Sequence, residues 1–370
     1  MAPRPRPPFR ADHVGSLLRP KRLQAARADH KAGQLSDTAL REIEDACIAD
    51  AVRRQEEIGL RAATDGEYRR AYWHYDFVSG LDGVEIYEPE QKIAFKGAVL
   101  PHALRVTGPI RYRRPVMVDH FRYLASHVRT AAPKQTIPSP SVVHFRGGRG
   151  AIDRAAYPEL EPFFADLGEA YRQAVRGFAD AGCRYLQLDE VYIAYLCDPE
   201  QVEGLKKRGE HVEGLLEIYA DLINHAIAGR PNDMTISMHL CRGNFRSTWV
   251  ASGGYEPVAE VLFNRVNADA YFMEYDTERA GGFEPLRFVP RGEKIVVLGL
   301  VTSKTGELES KDELKRRIEA ASRYLPLEQL ALSPQCGFAS TEEGNLLSEE
   351  QQWAKLRLCV EVARDVWGGV

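Results

Sequence analysis

The chain has 370 residues, 44% of them hydrophobic and 28% charged, a composition that supports a large buried core in one or two domains. A formal net charge of -4 gives no electrostatic reason to expect nucleic acid or an anionic membrane as partner. No apolar run approaches the roughly 18 to 20 residues needed to span a bilayer, and the N-terminus lacks the apolar stretch of a secretory signal, so a cytoplasmic protein with a small-molecule partner is expected.

The first ten residues, MAPRPRPPFR, read as a flexible arm ahead of a single domain over residues 11–370. A strand is expected at 11–16 (ADHVGS). It is followed by a helix over 37–59, where Leu40, Ile43, Cys47, Ile48, Ala51 and Val52 recur at helical spacing. A second strand is expected at 60–67 (LRAATDGE). The rhythm then breaks, because the segment from about 82 to 117 reads as paired strands with turn residues between them, a β-rich insertion after the second strand. Further strands are expected at 135–141, 184–190, 234–241, 269–276, 294–303 and 329–336. The glycine-rich, charged stretch 147–158 reads as a mobile loop, and 159–182 as a second amphipathic helix.

Eight strands alternating with helical stretches point to an α/β fold of the (β/α)8 TIM barrel type, since parallel strands need crossover helices to return the chain. An open doubly wound sheet is the alternative, but no G-x-G-x-x-G follows the first strand. The stretch LGLVTSK lacks the glycines and lysine spacing of a phosphate loop. The six cysteines, Cys47, Cys183, Cys197, Cys241, Cys336 and Cys359, are too scattered for a disulfide scaffold and read as thiols. Cys47 and Cys359 fall on helix patterns and suit the core, and Cys183 and Cys197 flank the fourth strand as structural residues.

In such a barrel, chemistry sits at the C-terminal ends of the strands. There the fifth strand ends in His239-Leu240-Cys241, the sixth in Glu274-Tyr275-Asp276 and the eighth in Pro334-Gln335-Cys336-Gly337. Residues i and i+2 of a strand share a face, so His239 and Cys241 point together. One imidazole, two thiolates and one carboxylate (His239, Cys241, Glu274, Cys336) make a donor set of the kind tetrahedral zinc takes, and soft thiolates argue against magnesium or calcium. H-x-C alone is more often a core-packing or capping pattern.

The ordered motifs HVGSLLRP (13–20), DGEYRR (65–70), LQLDE (186–190), HLC (239–241), EYD (274–276) and SPQCGF (333–338) resemble the C-terminal catalytic domain of cobalamin-independent methionine synthase over nearly the whole chain. The resemblance implies Zn2+ on His239, Cys241, Glu274 and Cys336. It also implies that Ser16, Glu67 and Asp189 hold the amino-acid part of homocysteine, with Glu190 as a further partner. Asp189 and Glu67 are then the catalytic carboxylates, suited to an ammonium group. The implied reaction is methyl transfer to a thiol, giving methionine, from methyl-folate, methylcobalamin or another donor. Two thiolates, a carboxylate and a neutral imidazole would leave zinc with a formal charge of about -1, electron-rich enough to keep a substrate thiolate nucleophilic.

The chain departs from the family in carrying one barrel rather than two. It also reads Thr302, Ser303 and Lys304 where the family has a histidine assisting proton transfer to folate, which leaves the donor open. Single-barrel relatives include the epoxyalkane:coenzyme M transferase, whose sulfonate thiol would want cations such as Arg19, Arg69, Arg70, Arg242 or Arg246. A ligand-binding barrel without turnover, like the uroporphyrinogen decarboxylase type, is a third class. The aromatic cluster Tyr72, Trp73, His74, Tyr75 and Phe77 reads either as a stacking platform for a flat donor or as apolar cover over the barrel end. His13 could meet substrate or brace a loop.

Overall fold

The computed structural model describes residues 4–89, 93–95, 98–100 and 102–370. In chain order its strands are β1 (Ala62–Ala63), β2 (Asp82–Tyr87), β3 (Ile93–Phe95), β4 (Ala98–Leu100), β5 (Ala103–Arg111), β6 (Ala132–Pro133), β7 (Gln135–Pro138), β8 (Tyr185–Glu190), β9 (Thr235–Leu240), β10 (Ala270–Glu274), β11 (Ile295–Val301) and β12 (Leu330–Pro334). The last six form one parallel sheet in sequential order from β7 to β12. Strand order never reverses within it, which rules out the doubly wound alternative. β1 runs parallel to β6, directly ahead of β7.

The expected first strand pairs only at Ala11, which bridges Leu332 of β12. Beyond it Gly15 takes φ +141, outside strand geometry. The neighbouring segment is joined by single bonds instead: the Thr64 hydroxyl donates to the Gly15 carbonyl (2.6 Å) and the Leu17 amide to the Gly66 carbonyl (3.0 Å). The second expected strand likewise shrinks to Ala62–Ala63, and Glu67 after it has φ 59. Hydrogen bonds thus join these short segments to their neighbours in a barrel-like arrangement of parallel segments.

The two expected long helices form at Asp37–Glu57 and Leu160–Asp180. The first is capped by the Ser36 hydroxyl, which accepts from the Ala39 amide (3.2 Å). Residues of β8 to β12 are buried on both faces, as helices outside and packed side chains inside require. Val14, Ala270, Phe272, Ile295, Val297 and Ala331 cluster together. Deeper lies the buried Lys134–Asp12 ion pair (3.2 Å), with Tyr185 donating to Asp12 (2.8 Å).

Two expectations change in detail. Residues 8–10 are packed rather than free: Phe9 lies under Arg61, and the Arg10 guanidinium donates to the Leu330 carbonyl (2.6 Å). The 147–158 stretch is anchored, because the Arg149 guanidinium caps the carbonyls of Ile152 and Tyr157, and the Tyr157 hydroxyl accepts from the Ile110 amide (2.7 Å). Between residues 82 and 117, β2 pairs antiparallel with β5, and β3 with β4. Among the described residues no helix is long and apolar enough to cross a membrane.

Candidate active site

Strand register brings the chemistry together. Asp189 on β8 stands beside His239 on β9, and His239 beside Phe272 on β10. Cys241 extends β9 by one bond, its amide donating to the Glu190 carbonyl (2.9 Å). The ligand atoms of His239, Cys241, Glu274 and Cys336, all buried, lie within 4.8 Å of one another. His239 Nε2 is 3.4 Å from Cys336 Sγ, and the two sulfurs are 3.6 Å apart. A tetrahedral zinc site with bonds of about 2.0–2.3 Å has edges of about 3.3–3.8 Å, so the last two separations fit such an ion, and so does the N/S/O donor chemistry of the set.

Other groups aim the carboxylate of Glu274. The Arg242 amide donates to its Oε1 (2.8 Å), while Arg279 (2.8 Å) and Gln335 (3.3 Å) donate to its Oε2. Burial alone would raise the Glu274 pKa, but Lys304, Arg279 and His239 hold it down to about 2. A hydrogen bond from Cys241 and the neighbouring His239 hold the Cys336 thiol well below its ordinary range against burial. The same shared bond, together with burial, pushes Cys241 up. Burial disfavours the His239 cation, yet Cys336, Asp189 and Glu274 together outweigh it and raise the pKa. The cluster therefore favours the ionised forms of Cys336 and Glu274 beside His239.

Beside it opens a cavity that reaches solvent, whose lining includes Ser16, Glu67 and Asp189 with three of the four metal-ligand candidates. The Asp189 carboxylate accepts from Gln187 (2.7 Å) and Glu67 from the Thr136 hydroxyl (2.5 Å). Glu67 is also paired with Arg70. Burial pushes Glu67 up to about 7, with Arg70 opposing and Asp189 adding to the rise. Burial also raises Asp189. Ser16 is fixed by the Ala339 amide, which donates to its hydroxyl (3.2 Å). Glu190, by contrast, does not line the cavity. Its carboxylate is consumed by the Ser141 hydroxyl (2.6 Å) and the amides of Tyr192 (2.7 Å) and Ile193 (3.0 Å) at the start of the next helix.

Of the five arginines considered for a sulfonate, only Arg70 lines the cavity. Arg19 donates to backbone carbonyls, including that of Glu67, Arg69 pairs with Asp45, and Arg242 lies over the Tyr255 ring. Tyr72, Trp73 and His74 face the cavity, whereas Tyr75 and Phe77 belong to the core. His13 is buried away from it, its pKa brought down to about 4 by burial and by Lys134. Ser303 braces Gln335 (2.8 Å) and Thr302 donates to Asp276 (3.1 Å). Cys47, Cys183, Cys197 and Cys359 are buried singly. Arg279 beside Glu274, and Arg146, Tyr195 and Asn244 in the cavity wall, carried no motif signal, since each is brought in by tertiary contact.

The sequence model described as the catalytic domain of cobalamin-independent synthase matches residues 9–365. The YxjG protein of Bacillus subtilis (strain 168), itself uncharacterized, is 50% identical over 366 residues, covering 98% of this chain and 96% of its own length. A methionine synthase of Saccharolobus solfataricus is 25% identical over 350 residues, covering 94% of this chain and 92% of its own. A Listeria monocytogenes structure, provisionally named a vitamin-B12-independent methionine synthase, superposes with a TM-score of 0.81 at 43% identity, covering 99% of this chain and 100% of that one. A B12-independent methionine synthase of Shewanella sp. W3-18-1, solved with selenomethionine, gives 0.71 at 18% identity over 97% and 98% of the two chains, which bears on the fold alone.

Proposed function

The chain belongs to the cobalamin-independent synthase catalytic-domain family, a family of methionine synthase-type methyltransferases, and from that premise we propose that it transfers a methyl group to the thiol of homocysteine or a similar small thiol, with zinc as cofactor. The observation that carries the reading is the meeting of His239, Cys241, Glu274 and Cys336, from three separate strand ends, beside a cavity that three of them line together with Asp189 and Glu67. In this reading the parallel ring is a closed (β/α)8 barrel, and the segment 82–117 is an insertion on it.

Those four side chains would hold zinc, which supplies the means to keep a substrate thiol ionised at neutral pH, where a free thiol with pKa about 8.5 is only a few per cent thiolate. The chain's own groups do the rest. Asp189 and Glu67 present carboxylates to the substrate ammonium, and Ser16 lies close to Cys336 through the adjoining Gly337. Gln335, Arg279 and the Arg242 amide fix Glu274 so that its oxygens do not swing away. Burial of these groups would keep bulk water from the sulfur. Arg70, the cavity arginine among the five considered for a sulfonate, is already paired with Glu67.

The test is metal analysis of the purified protein followed by turnover of homocysteine against coenzyme M with methyl and epoxide donors. About one zinc per chain and methylation of homocysteine are expected. A metal-free, inactive protein, or turnover of coenzyme M alone, refutes the reading.

A further inference from the structure

The parallel ladder between β9 and β10 ends at the Leu240–Met273 pair, one residue short of Cys241 and Glu274, so strand pairing does not itself hold these two candidate ligands together. Tyr255, which belongs to none of the sequence motifs, spans the gap. It is fixed at the start of the helix Glu256–Arg265, where its carbonyl accepts from the amides of Val258 (3.1 Å) and Ala259 (3.0 Å). The side chain is buried, and its hydroxyl accepts from the Glu274 amide (3.0 Å). The single hydroxyl proton lies within reach of the Leu240 carbonyl (3.3 Å) and the Glu274 carbonyl (3.4 Å). The ring is held by the residues that follow the two ligands. The Arg242 guanidinium, itself buried, lies over the ring face at 4.3 Å, and Tyr275 packs edge-on with centroids 5.4 Å apart. Arg242 also ties the two strand ends through its backbone. Its amide donates to Glu274 Oε1 (2.8 Å), and its carbonyl accepts from Val250 and Ala251 (3.0 Å each) on the segment that leads to Tyr255.

We propose that Tyr255 is a positioning residue of the metal centre, holding Cys241 and Glu274 at the separation that a tetrahedral ion requires. This rests on the reading of the four clustered side chains as a zinc site, and deepens it by assigning the group that sets the spacing of two ligands from different strands. Metal bonds tolerate only about 0.2 Å of error, and groups that orient ligands from behind typically carry about 10- to 100-fold of metal affinity. Without the hydroxyl, the buried Glu274 amide loses its acceptor and the end of β10 can turn relative to Cys241. Arg279 and Gln335 still hold the carboxylate by its Oε2, so the loss of affinity is partial rather than complete.

The experiment is titration of the purified chain with zinc in competition with a chromogenic chelator, and separately with cobalt(II), whose visible absorption reports coordination geometry. It is run on the unsubstituted chain, on Tyr255→Phe, which keeps the ring under Arg242 and removes only the hydroxyl, and on Tyr271→Phe. Tyr271 is the control, because it lies on the same strand β10 and its buried hydroxyl is 3.0 Å from the carbonyls of Leu262 and Val266, away from the ligands. Both variants should lose about 1–4 °C in the Tm of the metal-free protein. Tyr255→Phe should bind zinc about 10-fold more weakly and change the cobalt spectrum, whereas Tyr271→Phe should match the unsubstituted chain in both. The inference is overturned if Tyr255→Phe matches the unsubstituted chain in zinc affinity or in cobalt spectrum, or if Tyr271→Phe weakens zinc equally, which would trace the loss to general destabilisation. An unsubstituted chain that binds neither metal overturns the zinc reading and this inference with it. An unsubstituted chain that binds zinc beside an unaffected Tyr255→Phe overturns the inference alone.

Discussion

Replacing Gly337 by alanine should disrupt the metal centre without touching any metal ligand. A Cβ built on Gly337 would lie 2.0 Å from the Ser16 hydroxyl and 3.2 Å from its Cβ, where ordinary contact begins near 3.4 Å. About 1.4 Å of overlap has two outlets. If Ser16 rotates, the Ala339 amide loses its acceptor and a buried N–H goes unpaired, at about 1–3 kcal/mol. If the chain after β12 retreats instead, adjacent Cys336 moves with it, and metal bonds tolerate only about 0.2 Å of error. The first outlet lowers Tm by about 1–4 °C in a chain of this size, and the second lowers zinc affinity. Differential scanning fluorimetry of the metal-free protein and zinc competition against a chromogenic chelator measure the two. Adding Ser16→Gly should restore the zinc affinity, because it removes the hydroxyl and the Cβ that force the chain to retreat, but not the Tm, because the Ala339 amide still lacks its acceptor. A Gly337→Ala protein that keeps its Tm within 1 °C and its zinc affinity would show that this close approach does not constrain the site.

Cys241→Ser and Cys336→Ser should each lose most of the bound zinc while leaving the fold intact, and full retention in both would contradict the ligand set. Asp189→Asn should raise the KM for homocysteine about 10- to 100-fold by removing one side of a charge-assisted contact, with a much smaller effect on a thiol lacking the amino group. Burial pushes the Glu67 carboxyl up to about 7, so its stabilising contribution is present below the ordinary carboxylate pKa and is lost as pH rises towards 7. Its capacity to hold an ammonium runs the other way: homocysteine affinity should improve from pH 6 to 8, and Glu67→Gln should flatten that step. An unchanged profile in the variant would place the titration on another group.

The chain order of motifs was enough to recover the parallel strands, the two long helices and the four clustered side chains, because strand and helix periodicities are local and barrel sites gather at strand ends. Alternation alone put His239 and Cys241 on one face. What local pattern could not decide was how each polar group is spent. Glu190 sits in the same motif as Asp189, yet its lone pairs go to Ser141 and to two helix amides, while Asp189, one residue earlier on the opposite face, meets the cavity. The strand expected at 11–16 pairs only at Ala11, since Gly15 leaves extended geometry where Glu67 crowds it: a Cβ there would meet Glu67 Oε1 at 2.5 Å. The stretch at 147–158 looked loose until Arg149 found carbonyls to cap. Arg279 and Arg146 became visible only once the chain folded, because hydrogen bonds and charge depend on distance in space, and sequence spacing fixes that distance only within a single element.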